Sequence, residues 1–188
     1  MKKLLLLILI TGVFLFGNSK NKVPTIKSTS IKISGPRYRL EGAFGFLSSK
    51  EDYSYRNNRF FSGSIALLPE WKAQINEKID ATFGPKVTLD VSFSLFGGLY
   101  TVKPNLNLGV EANLNYRIKE KIKVYGGVEI GTGVGVSIDY ANGNTYEAIL
   151  TTISKMSLGV KINDKYNVGI YLGNNIKGML GLEAGYTF

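Results

Sequence analysis

From Asp80 to Phe96 the chain alternates without a break. Ala81, Phe83, Pro85, Val87, Leu89, Val91, Phe93 and Leu95 fall on one parity, and Asp80, Thr82, Gly84, Lys86, Thr88, Asp90, Ser92 and Ser94 on the other. Successive side chains of a strand point to opposite faces, so a period of two makes this a strand with one apolar and one polar face. The pattern returns seven times: around Leu40 and Phe44; from Phe61 to Ile75; from Leu106 to Tyr116; from Ile122 to Ile138; from Leu150 to Ile162; from Tyr166 to Leu172; and from Leu180 to Phe188. In a chain that is 20% charged, the apolar parity of these eight segments holds no Asp, Glu, Lys or Arg.

The opposite parity carries the charge. Arg39, Glu41, Lys72, Lys86, Asp90, Glu111, Arg117, Glu129, Lys155, Lys161 and Glu183 lie there, together with Glu70, Asp80 and Lys123. A soluble barrel would have to pack every large apolar side chain of eight strands into one narrow lumen, which small barrels cannot hold. The inverted arrangement turns the apolar face to lipid and sets Gly, Ser, Thr and Asn beside paired charges inside. The expected fold is therefore all-β: a closed, antiparallel, eight-stranded transmembrane β-barrel whose lumen is filled by a charge network. Its bulky inward Tyr125 opposes the alternative, a narrow channel for ions or small solutes.

Three similar segments, Ile75–Ile79, Ile118–Ile122 and Ile162–Tyr166, recur at intervals of about 43 residues and read as short polar turns between hairpin strands. The other connections, placed at 48–58, 97–103, 140–145 and 174–178, are generally longer. Short turns at one end and longer loops at the other predict periplasmic turns and extracellular loops. Pro69 and Pro85 lie symmetrically about the first turn, so a bulge or local opening is expected in that ladder. Parity slips at Gly35-Pro36-Arg37, which divides a basic periplasmic segment over 20–36, read as a tail or a partly paired lead-in, from a barrel domain over 37–188.

Met1-Lys2-Lys3 precedes an apolar run from Leu4 to Phe16 that is shorter than the roughly 20 residues a spanning helix needs. With small residues at Gly17 and Ser19, residues 1–19 read as a secretory signal peptide. The net charge of +9 sits largely on that head and on the five basic residues between Lys20 and Arg37, so it is not a nucleic-acid footprint. The chain has no cysteine and no histidine, which removes disulfides, thiol nucleophiles and imidazole chemistry. A carboxylate or lysine substitute would have to be sought among Lys86, Asp90, Glu111 and Glu129, where a salt-bridged plug is the simpler account. No catalytic residue, metal or cofactor is expected. The glycines of Gly131-Thr132-Gly133-Val134-Gly135 lack the following helix of a phosphate loop and read as space-making strand positions.

The last strand ends in Leu182, Ala184, Tyr186 and Phe188 on its apolar parity. By this terminus and its alternation, the span 37–188 resembles the small eight-stranded outer-membrane barrels of the OmpA/OmpX-like type. The resemblance implies a terminal strand read by the barrel-assembly machinery, a monomer in the bacterial outer membrane, and contact with its lipids and lipopolysaccharide. Glu183 stands where many members carry glycine. Some eight-stranded barrels modify lipids with Ser/His-type pairs; without histidine, that activity is a minor alternative to a structural or surface-interaction role. Trp71, Tyr116, Tyr186 and Phe188 would form one interface girdle, and Phe44, Phe46, Phe93 and Tyr140 the other. In the first long loop, Tyr53, Tyr55 and Arg56 are the candidate surface contacts.

Overall fold

A computed structural model describes residues 31–46, 59–96, 99–140, 145–175 and 177–188. The proposed signal peptide at 1–19, most of the basic segment, and the loop residues Tyr53, Tyr55 and Arg56 lie outside the described residues. Eight strands follow in order: β1 (Lys32–Phe46), β2 (Arg59–Gln74), β3 (Ile79–Phe96), β4 (Leu99–Lys119), β5 (Ile122–Asp139), β6 (Thr145–Ile162), β7 (Tyr166–Asn175) and β8 (Leu180–Thr187). Each pairs antiparallel with its neighbours, and β8 closes on β1 to complete the barrel.

The alternation sets the two faces. Leu40, Phe44, Ile65, Leu89, Leu108, Ile130, Leu158 and Leu182 point outward and are exposed, while Arg39, Glu41, Lys86, Glu111, Glu129 and Lys155 point inward and are buried. A backbone closed into a ring leaves no strand edge within its paired height, which a hydrocarbon environment requires. Rings gather at both ends. Tyr166, Tyr186, Phe188 and Tyr38 form a continuous string at the turn end, with centroid separations of 5.1, 6.2 and 6.2 Å. Phe44 contacts Phe46 and Phe61 near the loop end.

Two sequence expectations are resolved in detail and one changes. Around Pro69 and Pro85 pairing stops between Leu67↔Val87 and Trp71↔Phe83 and then resumes in the same register. The ladder opens without a bulge because proline lacks the ladder donor, and Gly84 lets the strands stay close: an added Cβ would overlap the Pro69 carbonyl oxygen. A one-residue shift falls in β1 between Ser34 and Arg37, where the sequence parity slips, and Lys32–Ser34 pair with Lys72–Gln74 on β2, so the end of the basic segment is a partly paired lead-in. The change is in the β3–β4 connection. Expected over 97–103, it spans only residues 97 and 98, because Thr101 and Val102 continue the ladder opposite Ser94 and Phe93.

Turn chemistry explains the short connections. In the β2–β3 turn the Asn76 side-chain oxygen accepts from the backbone N–H of Lys78 (2.9 Å) and Ile79 (2.8 Å). In the β6–β7 connection Asn163 and Asp164 both take left-handed φ values of 56° and 55° at the centre of a turn in which the Lys165 N–H donates to the Ile162 carbonyl at 3.0 Å.

Candidate functional site: the charged lumen

Seven strands and one connection deliver a single ion-pair network to the barrel interior. Lys86 of β3 sits at its centre, with Nζ at 2.5 Å from Glu41, 2.6 Å from Glu111 and 3.0 Å from Glu129. Lys155 of β6 reaches Glu183 (2.6 Å), Glu129 (2.9 Å) and Glu41 (3.3 Å). Arg39 of β1 pairs with Glu111, Glu41 and Glu70, and Arg37 also pairs with Glu70. Lys177, from the β7–β8 connection, turns inward onto Glu129 at 2.9 Å. The network thus joins five cations (Arg37, Arg39, Lys86, Lys155, Lys177) to five carboxylates (Glu41, Glu70, Glu111, Glu129, Glu183). Equal numbers matter because an unpaired charge taken out of water costs several kcal/mol.

A second, four-membered ring lies at the turn end. Lys72 and Lys123 each contact both Asp80 and Asp164, at 3.8 and 2.9 Å for Lys72 and 2.6 and 2.5 Å for Lys123. Asp164 belongs to the β6–β7 turn, so a turn residue folds beneath the barrel and links β2 to β5. Burial alone would raise the Asp164 carboxyl, but hydrogen bonds from Lys123 and Lys72 outweigh it and hold the group at about 2. At the loop end the Lys177 backbone carbonyl accepts from Ser62 Oγ (2.9 Å) and Tyr171 Oη (2.8 Å), which fixes that connection over the lumen.

Glycines make the space. An added Cβ at Gly127, Gly133 or Gly135 would collide with the side chain of Asn113, Asn107 or Asn105 respectively, so the glycine series of β5 accommodates an asparagine ladder from β4. Tyr125 lies against Gly159 and Gly169 and donates to Glu183 at 2.8 Å; Tyr171 lies against Gly45 and Gly181.

Of the residues singled out from sequence, Arg39, Glu41, Lys86, Glu111, Glu129, Lys155 and Glu183 meet in the central network, and Lys72 stands in the lower ring. Three others do not join either group. Arg117 is half-buried at the turn end, paired opposite inward Lys123, and donates to the Glu120 carbonyl at 3.1 Å. Asp90 contacts Asn105 at 3.5 Å, and Lys161 donates to Thr82 Oγ1 at 3.1 Å with its Nζ 5.6 Å from the Tyr125 ring centroid. Glu70, Asp80 and Lys123 were legible from parity. Arg37 at the bulge and Asp164 and Lys177 in connections were not, since alternation carries no information outside a regular strand.

Oxygens of Glu41, Glu111 and Glu129 approach within 4.8 Å of one another, a grouping able to hold a metal ion. The Lys86 ammonium already occupies their midst, and it supplies the charge a cation would bring.

An apolar exterior around a charge-balanced interior inverts the order of a soluble protein. The barrel is of the membrane-spanning kind. Neither a family model nor a curated protein matches the chain. Among solved structures it is similar to the attachment invasion locus protein Ail of Yersinia pestis, with 16% identity, 81% of this chain and 97% of that chain covered, and a TM-score of 0.40. It is similar also to the N-terminal β-barrel domain of Pseudomonas aeruginosa OprF, with 11% identity, coverages of 82% and 100%, and a TM-score of 0.34. Ail in complex with the heparin analogue sucrose octasulfate aligns at 12% identity over 81% of this chain and 97% of that chain, with a TM-score of 0.38.

Proposed function

We propose that this chain is an integral barrel of the bacterial outer membrane with a structural or surface-interaction role and a lumen plugged by its own side chains. The observation that carries the reading is the balanced ten-residue network, which takes in Lys177 from a connection at the loop end, together with the ring that Asp164 closes from a turn at the other. Eight strands leave space chiefly for side chains, and here that space holds pairs of opposite sign. The turn end with its aromatic string would face the periplasm. Leu182, Ala184, Tyr186 and Phe188 would serve as the strand recognised during assembly, and the folded monomer would contact outer-membrane lipids and lipopolysaccharide.

One further observation favours surface interaction over a purely structural role. β6 pairs with β5 up to Thr145, but with β7 only as far as Ile153, so among the described residues Thr145–Thr151 is laddered on one side alone. That raised edge, with Tyr146 and Leu150 exposed, offers backbone donors and acceptors to an extended segment of another protein. The test begins with fractionation: the protein should co-purify with outer membranes and show a heat-dependent shift in gel mobility. In planar bilayers the folded protein should give no steady openings, whereas the double variant Asp164→Ala/Lys177→Ala should conduct. Steady conductance by the unaltered protein would replace this reading with the channel, and phospholipid hydrolysis by the same sample would replace it with an enzyme.

A further inference from the structure

Outward positions on this barrel are mostly large, and three that are not lie together. Ala81 on β3, Ala112 on β4 and Gly126 on β5 form the floor of a cleft of about 550 Å³ on the outer wall. Its flanks are the exposed side chains of Leu114, Met156 and Leu158. The pairs Ala81↔Leu114, Leu114↔Gly126, Gly126↔Leu158 and Leu158↔Ile170 show that it crosses five strands. Its small-residue floor lies on the three adjacent strands β3, β4 and β5, two interstrand steps or roughly 10 Å across, room for a segment of an acyl chain.

The cleft has a polar end. Ala81 is two residues from Ile79, the first residue of β3, which pairs with the exposed Tyr116. Next toward the rim the Arg117 N–H donates to the Lys78 carbonyl at 2.7 Å, bringing the β2–β3 and β4–β5 turns together. Lys78 and Lys119, both exposed, therefore flank the foot of the cleft. An apolar trough inside the hydrocarbon-facing band, ending beside a ring and two ammonium groups, matches an amphiphile with a long chain and an anionic head.

We propose that this cleft is a binding site for one anionic phospholipid, with an acyl chain along Ala81, Ala112 and Gly126 and the phosphate at Lys78 and Lys119. The proposal rests on the membrane-spanning reading of the barrel. A flat neighbour, such as the wall of a second copy, would not fill a trough floored by alanine and glycine.

Native mass spectrometry of the full barrel, folded in detergent with phosphatidylglycerol or with phosphatidylcholine of the same chains, tests it. One phosphatidylglycerol should be retained at least tenfold more than phosphatidylcholine. Ala112→Phe, which fills the trough, should reduce retention at least tenfold. Gly126→Leu is a second filling variant, tolerated by the backbone because an added Cβ meets Leu158 at 3.4 Å, an ordinary contact. Lys78→Gln/Lys119→Gln should abolish the preference between the two lipids. Equal retention of both lipids by the unaltered protein, undiminished retention in a folded filling variant, or a dimer that the filling variants dissociate would overturn the site. The heat-dependent mobility shift of the same samples separates the two levels: a protein without the shift refutes the barrel reading, whereas a shifted protein without lipid refutes the cleft alone.

Discussion

Replacing Lys86 by methionine tests whether the lumen is dry enough for its ion pairs to matter. Methionine keeps much of the volume and removes the charge, so the change isolates electrostatics. Lys86 contacts three carboxylates at 2.5, 2.6 and 3.0 Å, and oxygens of those three groups lie within 4.8 Å of one another. Without the ammonium, each carboxylate pair at that spacing repels by about 3 kcal/mol at an effective dielectric constant of 20. Breaking a buried ion pair by removing one partner generally costs about 3–5 kcal/mol, whereas an exposed pair is worth about 0–1 kcal/mol. Lys86→Met should therefore lower the unfolding free energy in lipid vesicles by about 3–5 kcal/mol, measured by urea titration. Removing one of the stranded carboxylates with Glu111→Gln should recover part of the loss, giving a coupling of about 1–3 kcal/mol in the double-mutant cycle. A loss below about 1 kcal/mol with no coupling would mean that water screens the network, and the plugged lumen would fall with it.

Asp164 gives a pH signature. Its carboxyl is held at about 2 against an ordinary 3.8, so the stabilisation it provides is complete above about pH 4 and is lost as pH falls through 2. Acid titrations of folded fraction should show a gap of about 2 kcal/mol between the unaltered protein and Asp164→Asn at pH 5 that closes near pH 2; a gap independent of pH would be contrary to this. Gly133→Val should lower the temperature of the mobility shift, with a cost of at least about 1–3 kcal/mol, because an added Cβ collides with the Leu106 carbonyl and the Asn107 side chain. Tyr125→Phe removes the 2.8 Å bond to Glu183 but leaves Lys155 in place, so a smaller loss of about 1.5 kcal/mol should appear in urea titration.

What could be read from the sequence was whatever depends on a period of two. Strand count, closure into one ring, and the inward placement of Lys86, Glu111 and Lys155 all follow from an apolar parity free of charge. The same rule placed Arg117 opposite inward Lys123 but did not show that its guanidinium would donate to the Glu120 carbonyl and not to a lumen carboxylate. It was silent on Asp164 and Lys177, since a turn side chain reaches the lumen by the three-dimensional path of the connection. The cleft on the outer wall needed the register between five strands: Ala81, Ala112 and Gly126 are separated by 31 and 14 residues in the chain and become neighbours only through pairing.

The β1–β8 seam matches Arg39 to Thr187 and Phe46 to Leu180. Backbone hydrogen bonding alone would accept that seam slipped by two residues, because the apolar and polar faces would still alternate correctly. Such a slip would carry Glu41 of β1 about 7 Å along the strand relative to β8 and break its contact with Lys155 across the seam. The lumen charges therefore act as a vernier. They discriminate between closures that hydrophobicity treats as equal, and they do so at the last joint the barrel makes.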